Sequence, residues 1–156
     1  MVGTSYGGYA VLVALTATPD KFACGVAVSA PSNLATLIES FPPYWELELR
    51  TWHRYVGDPN NAKDRLVIDA KSPIFRTDAI QRPLLLAHGE NDARVKLHQT
   101  EDIATTLRKD GKPVELLVFK DEGHFITAAR SNLVLYLKIE QFLYDCLGGL
   151  RGDSRP

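Results

Sequence analysis

Cysteine is scarce in this chain. The two copies, Cys24 and Cys146, are too few for a disulfide framework and are not spaced as metal ligands. Both stand in apolar surroundings and are expected as separate buried thiols, with a reducing cytoplasm as the default compartment. No apolar run reaches the roughly 20 residues of a membrane span, so no membrane role is expected. An excess of one charge is also missing: 18 basic against 19 acidic side chains leave a net charge of −1. That balance favours neither nucleic acid nor an anionic membrane. There is no phosphate-binding glycine loop and no cluster with metal-ligand spacing, so no cofactor is expected. Repeats and low-complexity stretches are absent. What is present is an ordinary globular composition, 45% hydrophobic and 24% charged over 156 residues, enough for one domain with a core.

The stretch that organises the rest is Gly3-Thr4-Ser5-Tyr6-Gly7-Gly8-Tyr9, a G-x-S-x-G pattern running into an apolar, helix-like segment from Ala10 to Ala17. A nucleophilic serine needs a sharp turn between a strand and a helix, with its Oγ exposed. The turn is strained, so the residues two before and two after must lack bulk. The first N–H groups of the following helix can hold a developing oxyanion. The plain alternative is a glycine-rich turn before a helix. By itself the pattern does not decide between them.

Further along, Cys24 to Ala30 and Pro83 to Gly89 are short, nearly all-apolar runs, as in parallel strands buried on both faces. Val114 to Phe119 is a third strand. Helices are expected over Ala62 to Ala70, over Leu97 to Lys109 with Gly111 as C′, and from a Ser131 or Asn132 cap to about Leu147. From Ser32 to Val56 large apolar residues recur irregularly, and Pro42-Pro43 forbids one continuous helix. Short helices over the strand ends are expected there. The alternation of helix and strand predicts an α/β fold with a parallel sheet. The tail from Arg151 to Pro156 is expected to be disordered, its Arg-Gly-Asp triplet accidental.

Two loops carry candidate partners for Ser5, each after a predicted strand, where ligands gather in open α/β sheets. One is His88-Gly89-Glu90-Asn91-Asp92-Ala93-Arg94-Val95 and the other Asp121-Glu122-Gly123-His124-Phe125. Acyl transfer from serine needs an imidazole to take its proton and a carboxylate to fix the imidazole tautomer. His53 sits in the aromatic excursion and His98 in the first turn of a helix. His88 ends a strand, where a backbone-shaping or hydrogen-bonding role is expected. His124 is the best candidate base. Asp92 is the best-placed carboxylate against Glu90 and Asp121, since Asp121 is too near His124 in sequence to reach around it. The order Ser, Asp, His is that of α/β-hydrolases.

These three motifs, with Gly57-Asp58-Pro59 and Ser72-Pro73-Ile74, resemble the hydrolase domain of prolyl oligopeptidase-family serine peptidases, which include acylaminoacyl-peptidase and dipeptidyl-peptidase branches. The resemblance runs from Gly3 to about Leu147. It implies Ser5 as nucleophile, Asp92 as orienting acid, His124 as base and the Tyr6 N–H as one oxyanion donor. Arg94 resembles an arginine that contacts the substrate backbone in the oligopeptidases; a structural ion pair is the equal alternative. Leu34, Leu37, Ile38 and Phe41 are candidates for a specificity pocket. The expected substrate is a peptide or acyl-peptide, with carboxylesterase chemistry or a silent assembly unit as alternatives. Two departures, Lys96 where proline is frequent and Phe125 where glycine is frequent, concern loop shape.

Compared with that family, 1–150 reads as the C-terminal part of an α/β-hydrolase domain. The strand before the elbow is reduced to Met1-Val2, short of the roughly five residues of a buried strand. Cys24 to Ala30 is therefore expected to lack its partner strand and to offer an apolar edge, inviting a homo-oligomer, or else to be covered by a displaced N-terminal segment. With the elbow poorly braced, Ser5 is expected to stand away from His124, and catalysis to be weak. The second oxyanion donor lies upstream by resemblance, and losing one donor costs about a hundred- to a thousandfold.

Overall fold

A computed structural model describes residues 1–148; the expected disordered tail at Arg151 to Pro156 lies outside the described residues. Four parallel strands form one sheet in the order β1 (Val2–Thr4), β2 (Gly25–Val28), β3 (Leu84–Gly89), β4 (Val114–Phe119). Six α-helices accompany them: α1 (Tyr6–Ala17), α2 (Leu34–Glu39), α3 (Glu46–Tyr55), α4 (Ala62–Ala70), α5 (His98–Lys109) and α6 (Ala129–Leu147).

Every residue of β2 and β3 is buried, because helices cover both faces of the sheet. Side chains alternate across it. Ala27, Leu84 and Leu86 pack with Val11, Leu12 and Leu15 of α1 and Ile103, Ala104 and Leu107 of α5. Val26, Val28, Leu85 and Ala87 face Leu135 and Phe142 of α6 on the other side. A third cluster joins Leu34, Ala35 and Ile38 of α2 to Ile68 of α4 and Val95. Buried Gln99 of α5 ties this layer down. Its Oε1 accepts from the Ser32 and Asn33 amides at 2.9 and 2.8 Å, and its Nε2 donates to Thr36 Oγ1 at 2.8 Å. Gly111 (φ 66°) follows α5 as expected of a C′ residue.

Three expectations are corrected. The strand Cys24 to Ala30 has no bare edge: β1 pairs with it, Val2 opposite Val26 and Thr4 opposite Val28, and the Met1 ammonium reaches the Cys24 carbonyl at 2.9 Å. Three residues suffice because Ser5 N–H prolongs the ladder to Val28 O at 2.8 Å. The oligomer expected through that edge loses its basis. Second, α6 begins at Ala129, before Ser131 and Asn132. The Glu122 carboxylate takes the Thr127 and Ala128 amides at 2.9 and 3.1 Å, so a side chain from the preceding loop does the work expected of a local cap.

Third, Cys24 and Cys146 are joined in a disulfide, with Cα atoms 6.4 Å apart. Their separation of 122 residues hides the pairing in sequence. The fold creates it, because α6 returns along the sheet face that β2 presents. The ground for a reducing compartment goes with the free thiols. No helix among the described residues is long and apolar enough to cross a membrane. Closing so long a loop restricts the unfolded chain, so Cys146→Ser should lower the unfolding free energy by about 2–4 kcal/mol. Urea melts with and without reductant test this: reductant should destabilise the wild type alone.

Candidate active site

The site forms where β1, β3 and β4 end on the same side of the sheet. The chain enters α1 through Ser5, which holds φ 57° and ψ −121°. Non-glycine residues avoid positive φ, so the turn must be held from outside. It is held by Ser5 N–H to Val28 O at 2.8 Å and by Tyr9 N–H to Ser5 O at 3.0 Å. Only part of the expected glycine logic applies. A Cβ on Gly3 would lie 2.2 Å from Gly7 O, so Gly3 must lack a side chain. A Cβ on Gly7 would meet nothing within 4 Å, whereas one on Gly8 would lie 2.7 Å from the Ala30 Cβ. The second demand for smallness thus falls on Gly8, where α1 crosses the end of β2.

His124, in the loop after β4, places Nε2 2.8 Å from Ser5 Oγ and Nδ1 2.7 Å from Asp92 Oδ2. The expected gap between Ser5 and His124 is therefore absent: the paired β1 braces the elbow. A carboxylate only accepts, so Nδ1 carries the imidazole proton and the neutral ring offers Nε2 to the serine hydroxyl. Asp92 is 4% exposed. Its Oδ1 accepts from the Arg94 and Val95 amides at 2.8 and 2.9 Å. Burial pushes its pKa up, but the hydrogen bonds from His124, His88, Val95 and Arg94 outweigh that and hold the carboxyl well below the usual range. Glu122 is also held low, chiefly by the Thr127 amide and then by the Ser131 hydroxyl.

Of the competing residues, His98 opens α5, and His53 Nε2 lies 3.8 Å from Asp58 Oδ1. Asn91, beside Glu90, anchors its loop by donating through Nδ2 to Lys120 O at 2.7 Å. Gly89 lets the two loops touch, since a Cβ there would lie 2.1 Å from Gly123 O and 2.6 Å from Glu122 O.

Ser5 and His124 open on a cavity of about 540 Å³. Its walls include Tyr6, Leu37, Phe41, Trp45, Trp52 and Arg94. The Phe41 ring lies 5.6 Å from that of Trp45 and 5.5 Å from that of Trp52. The Arg94 guanidinium makes no ion pair among the described residues, so the structural alternative for it finds no partner. Leu34 and Ile38 are corrected. They do not line the cavity but pack in the core beneath it together with Leu37, which also reaches the cavity, while Phe41 stands past the end of α2. Trp45 and Trp52 were legible only as large apolar residues in an irregular stretch. Among the described residues, no group of three His, Cys, Asp or Glu side chains is arranged to hold a metal.

A sequence model of the prolyl oligopeptidase family matches residues 1–150. The chain belongs to that family. It is 41% identical over 149 residues to dipeptidyl aminopeptidase BIII of Pseudoxanthomonas mexicana, covering 96% of this chain and 22% of that protein. It is 39% identical over 157 residues to dipeptidyl peptidase family member 6 of Caenorhabditis elegans, covering all of this chain and 21% of the relative. This prolyl oligopeptidase-family chain thus spans about a fifth of the length of these curated relatives. The structure of an acylaminoacyl peptidase in complex with Z-Gly-Gly-Phe-chloromethyl ketone superposes with a TM-score of 0.82 at 25% identity, over 97% of this chain and 24% of that one. The parallel sheet with flanking helices is the α/β architecture of those peptidases.

Two outcomes follow. Gly89→Ala would drive a methyl group into the Glu122–Gly123 backbone, at a cost of about 1–3 kcal/mol in stability. It should also slow modification of Ser5 by a fluorophosphonate, by parting Asp92 from His124; labelling at the wild-type rate would contradict this. Asp92 and Glu122 have lowered folded pKa values, so their stabilisation is complete above the unfolded carboxylate pKa of about 4 and is lost as pH falls below it. Urea midpoints should hold steady above about pH 5 and fall below pH 4, and Asp92→Asn should make that fall shallower.

Proposed function

We propose that this chain is the C-terminal part, spanning residues 1–150, of a serine peptidase catalytic domain, and that it cleaves peptide or acyl-peptide bonds through Ser5, His124 and Asp92. The observation that carries this is the continuous relay from Ser5 Oγ through the His124 ring to Asp92 Oδ2, with steps of 2.8 and 2.7 Å. Ser5 Oγ attacks the scissile carbonyl carbon and its proton passes to His124 Nε2. The tetrahedral intermediate collapses, the C–N bond breaks, and the amine leaves with that proton. Water then gives a proton to the same nitrogen and attacks the acyl-serine, releasing the acid and restoring the serine hydroxyl. Asp92 steadies the imidazolium formed in each half.

The Tyr6 N–H, in the first turn of α1 and free of an intrahelical partner, serves as one oxyanion donor. Arg94, at the cavity wall and without an ion pair among the described residues, holds a substrate carbonyl. Phe41, with Trp45 and Trp52, receives a large apolar side chain next to the scissile bond. The aromatic lining supports that choice, and the acylaminoacyl peptidase of similar fold was captured with a phenylalanyl chloromethyl ketone. Losing the Tyr6 N–H as a donor would slow turnover about a hundred- to a thousandfold.

A fluorophosphonate should modify the wild type at Ser5, leave Ser5→Ala untouched and modify His124→Ala about a hundredfold or more slowly. Blocked amides with Phe before the scissile bond should turn over faster than those with Gly, and Phe41→Ala should narrow the difference. Turnover of esters with no amide cleavage would favour the esterase alternative. A folded protein with no labelling would leave only a silent assembly unit.

A further inference from the structure

One titratable side chain of the site has no part in the relay. His88, at the end of β3, is 0% exposed, and its ring is engaged at both nitrogens. Nε2 lies 2.9 Å from Val95 O and 3.2 Å from Asp92 Oδ2. Nδ1 lies 2.5 Å from Thr100 Oγ1 on α5. A carbonyl oxygen only accepts, so Nε2 carries a hydrogen; in the neutral ring Nδ1 accepts the Thr100 hydroxyl proton. Thr100 thereby fixes the tautomer and the ring plane.

The consequence falls on Asp92. The Val95 peptide is gripped at both ends: its carbonyl by His88 and its N–H by Asp92 Oδ1 at 2.9 Å. The His88 N–H also lies beside the oxygen that receives the His124 proton. Two imidazoles therefore share Oδ2, one from the floor of the site and one from its rim.

We propose that His88 is a positioning residue for the reaction: held by Thr100, it orients the Asp92 carboxylate and draws charge from Oδ2, and so sets the hold of Asp92 on the His124 ring. This rests on the serine-peptidase reading above. The titratable and charged groups around the pair are Ser5 from the elbow, His124 from the β4 loop and Arg94 on the same loop as Asp92. Glu122, in the facing loop, turns its carboxylate to the Thr127 and Ala128 amides. Removing the His88 donor leaves more charge on Oδ2, which favours the imidazolium form of His124.

The test uses the full chain and three variants: His88→Leu, His88→Gln, whose amide can donate to Val95 O and Asp92, and Thr100→Val, which frees the His88 ring. The rate of Ser5 modification by a fluorophosphonate is followed against pH, and the His124 ring is titrated by NMR in parallel. In His88→Leu, modification should slow about tenfold, and the acid limb and the His124 titration should both move to higher pH. His88→Gln should regain most of the rate, and Thr100→Val should fall between. A folded His88→Leu with an unmoved His124 titration would overturn the proposal. If His88→Leu fails to fold, a Thr100→Val variant that reacts as wild type with an unmoved His124 titration would do the same, while a raised titration in Thr100→Val would support it. The NMR titration needs no reactivity. An unlabelled wild type whose His124 titration still responds to His88 would defeat the peptidase reading and leave the positioning claim standing.

Discussion

A carboxylate taken out of water must be given hydrogen bonds, and the loops around this site are arranged by that requirement on Asp92. Its two oxygens gather the Arg94 and Val95 amides and two imidazoles. Each donor fixes something else. The amides curl residues 92–95 at the end of β3, His88 ties that curl to α5 through Thr100, and His124 ties it to the loop after β4. An unpaired charge at this depth would cost several kcal/mol. The same donors that make the carboxylate tolerable also set the direction of His124, so stability and chemistry depend on one group.

The second constraint is the strained turn at Ser5. Its backbone conformation is held because β1, short as it is, finds a complete partner in β2, and because Gly3 and Gly8 let α1 lie close over the strand ends. Between the elbow and the Asp92 cluster, His124 is the bridge, hydrogen-bonded to both. The loop that presents it is drawn in by Glu122, which serves the start of α6, and by Gly89, which lets it lie against the end of β3.

Much of this was legible in residue order. Short, nearly all-apolar runs marked β2 and β3, and Val114 to Phe119 read as the third strand, β4. Glycine and proline punctuation bounded α4 and α5. Loops after strands pointed to Asp92 and His124. What escaped depends on distance in sequence. The Cys24–Cys146 link, the grip of Gln99 on Ser32 and Asn33, and the capping of α6 by Glu122 join residues whose proximity is a product of the fold. The pocket wall was half legible for a related reason. Apolar residues of 34–52 read alike, and nothing in their order tells Leu37 and Phe41, which reach the cavity from the edge of the core, from Leu34 and Ile38, which lie wholly within it. The strand edge was misjudged because counting residues in β1 omits the ladder bond that Ser5 itself supplies.

Ser5, His124 and Asp92 are joined by hydrogen bonds, and the chemistry of the site depends on them. A proton held between an imidazole nitrogen and a buried carboxylate is strongly deshielded and resonates downfield of the amide region. The most direct measurement is the low-field proton spectrum of the purified protein with nitrogen-15 in its histidines. A far-downfield resonance coupled to His124 Nδ1 is expected, retained in Ser5→Ala and abolished in Asp92→Ala. A folded protein with no such resonance on His124 would contradict the hydrogen-bonded relay.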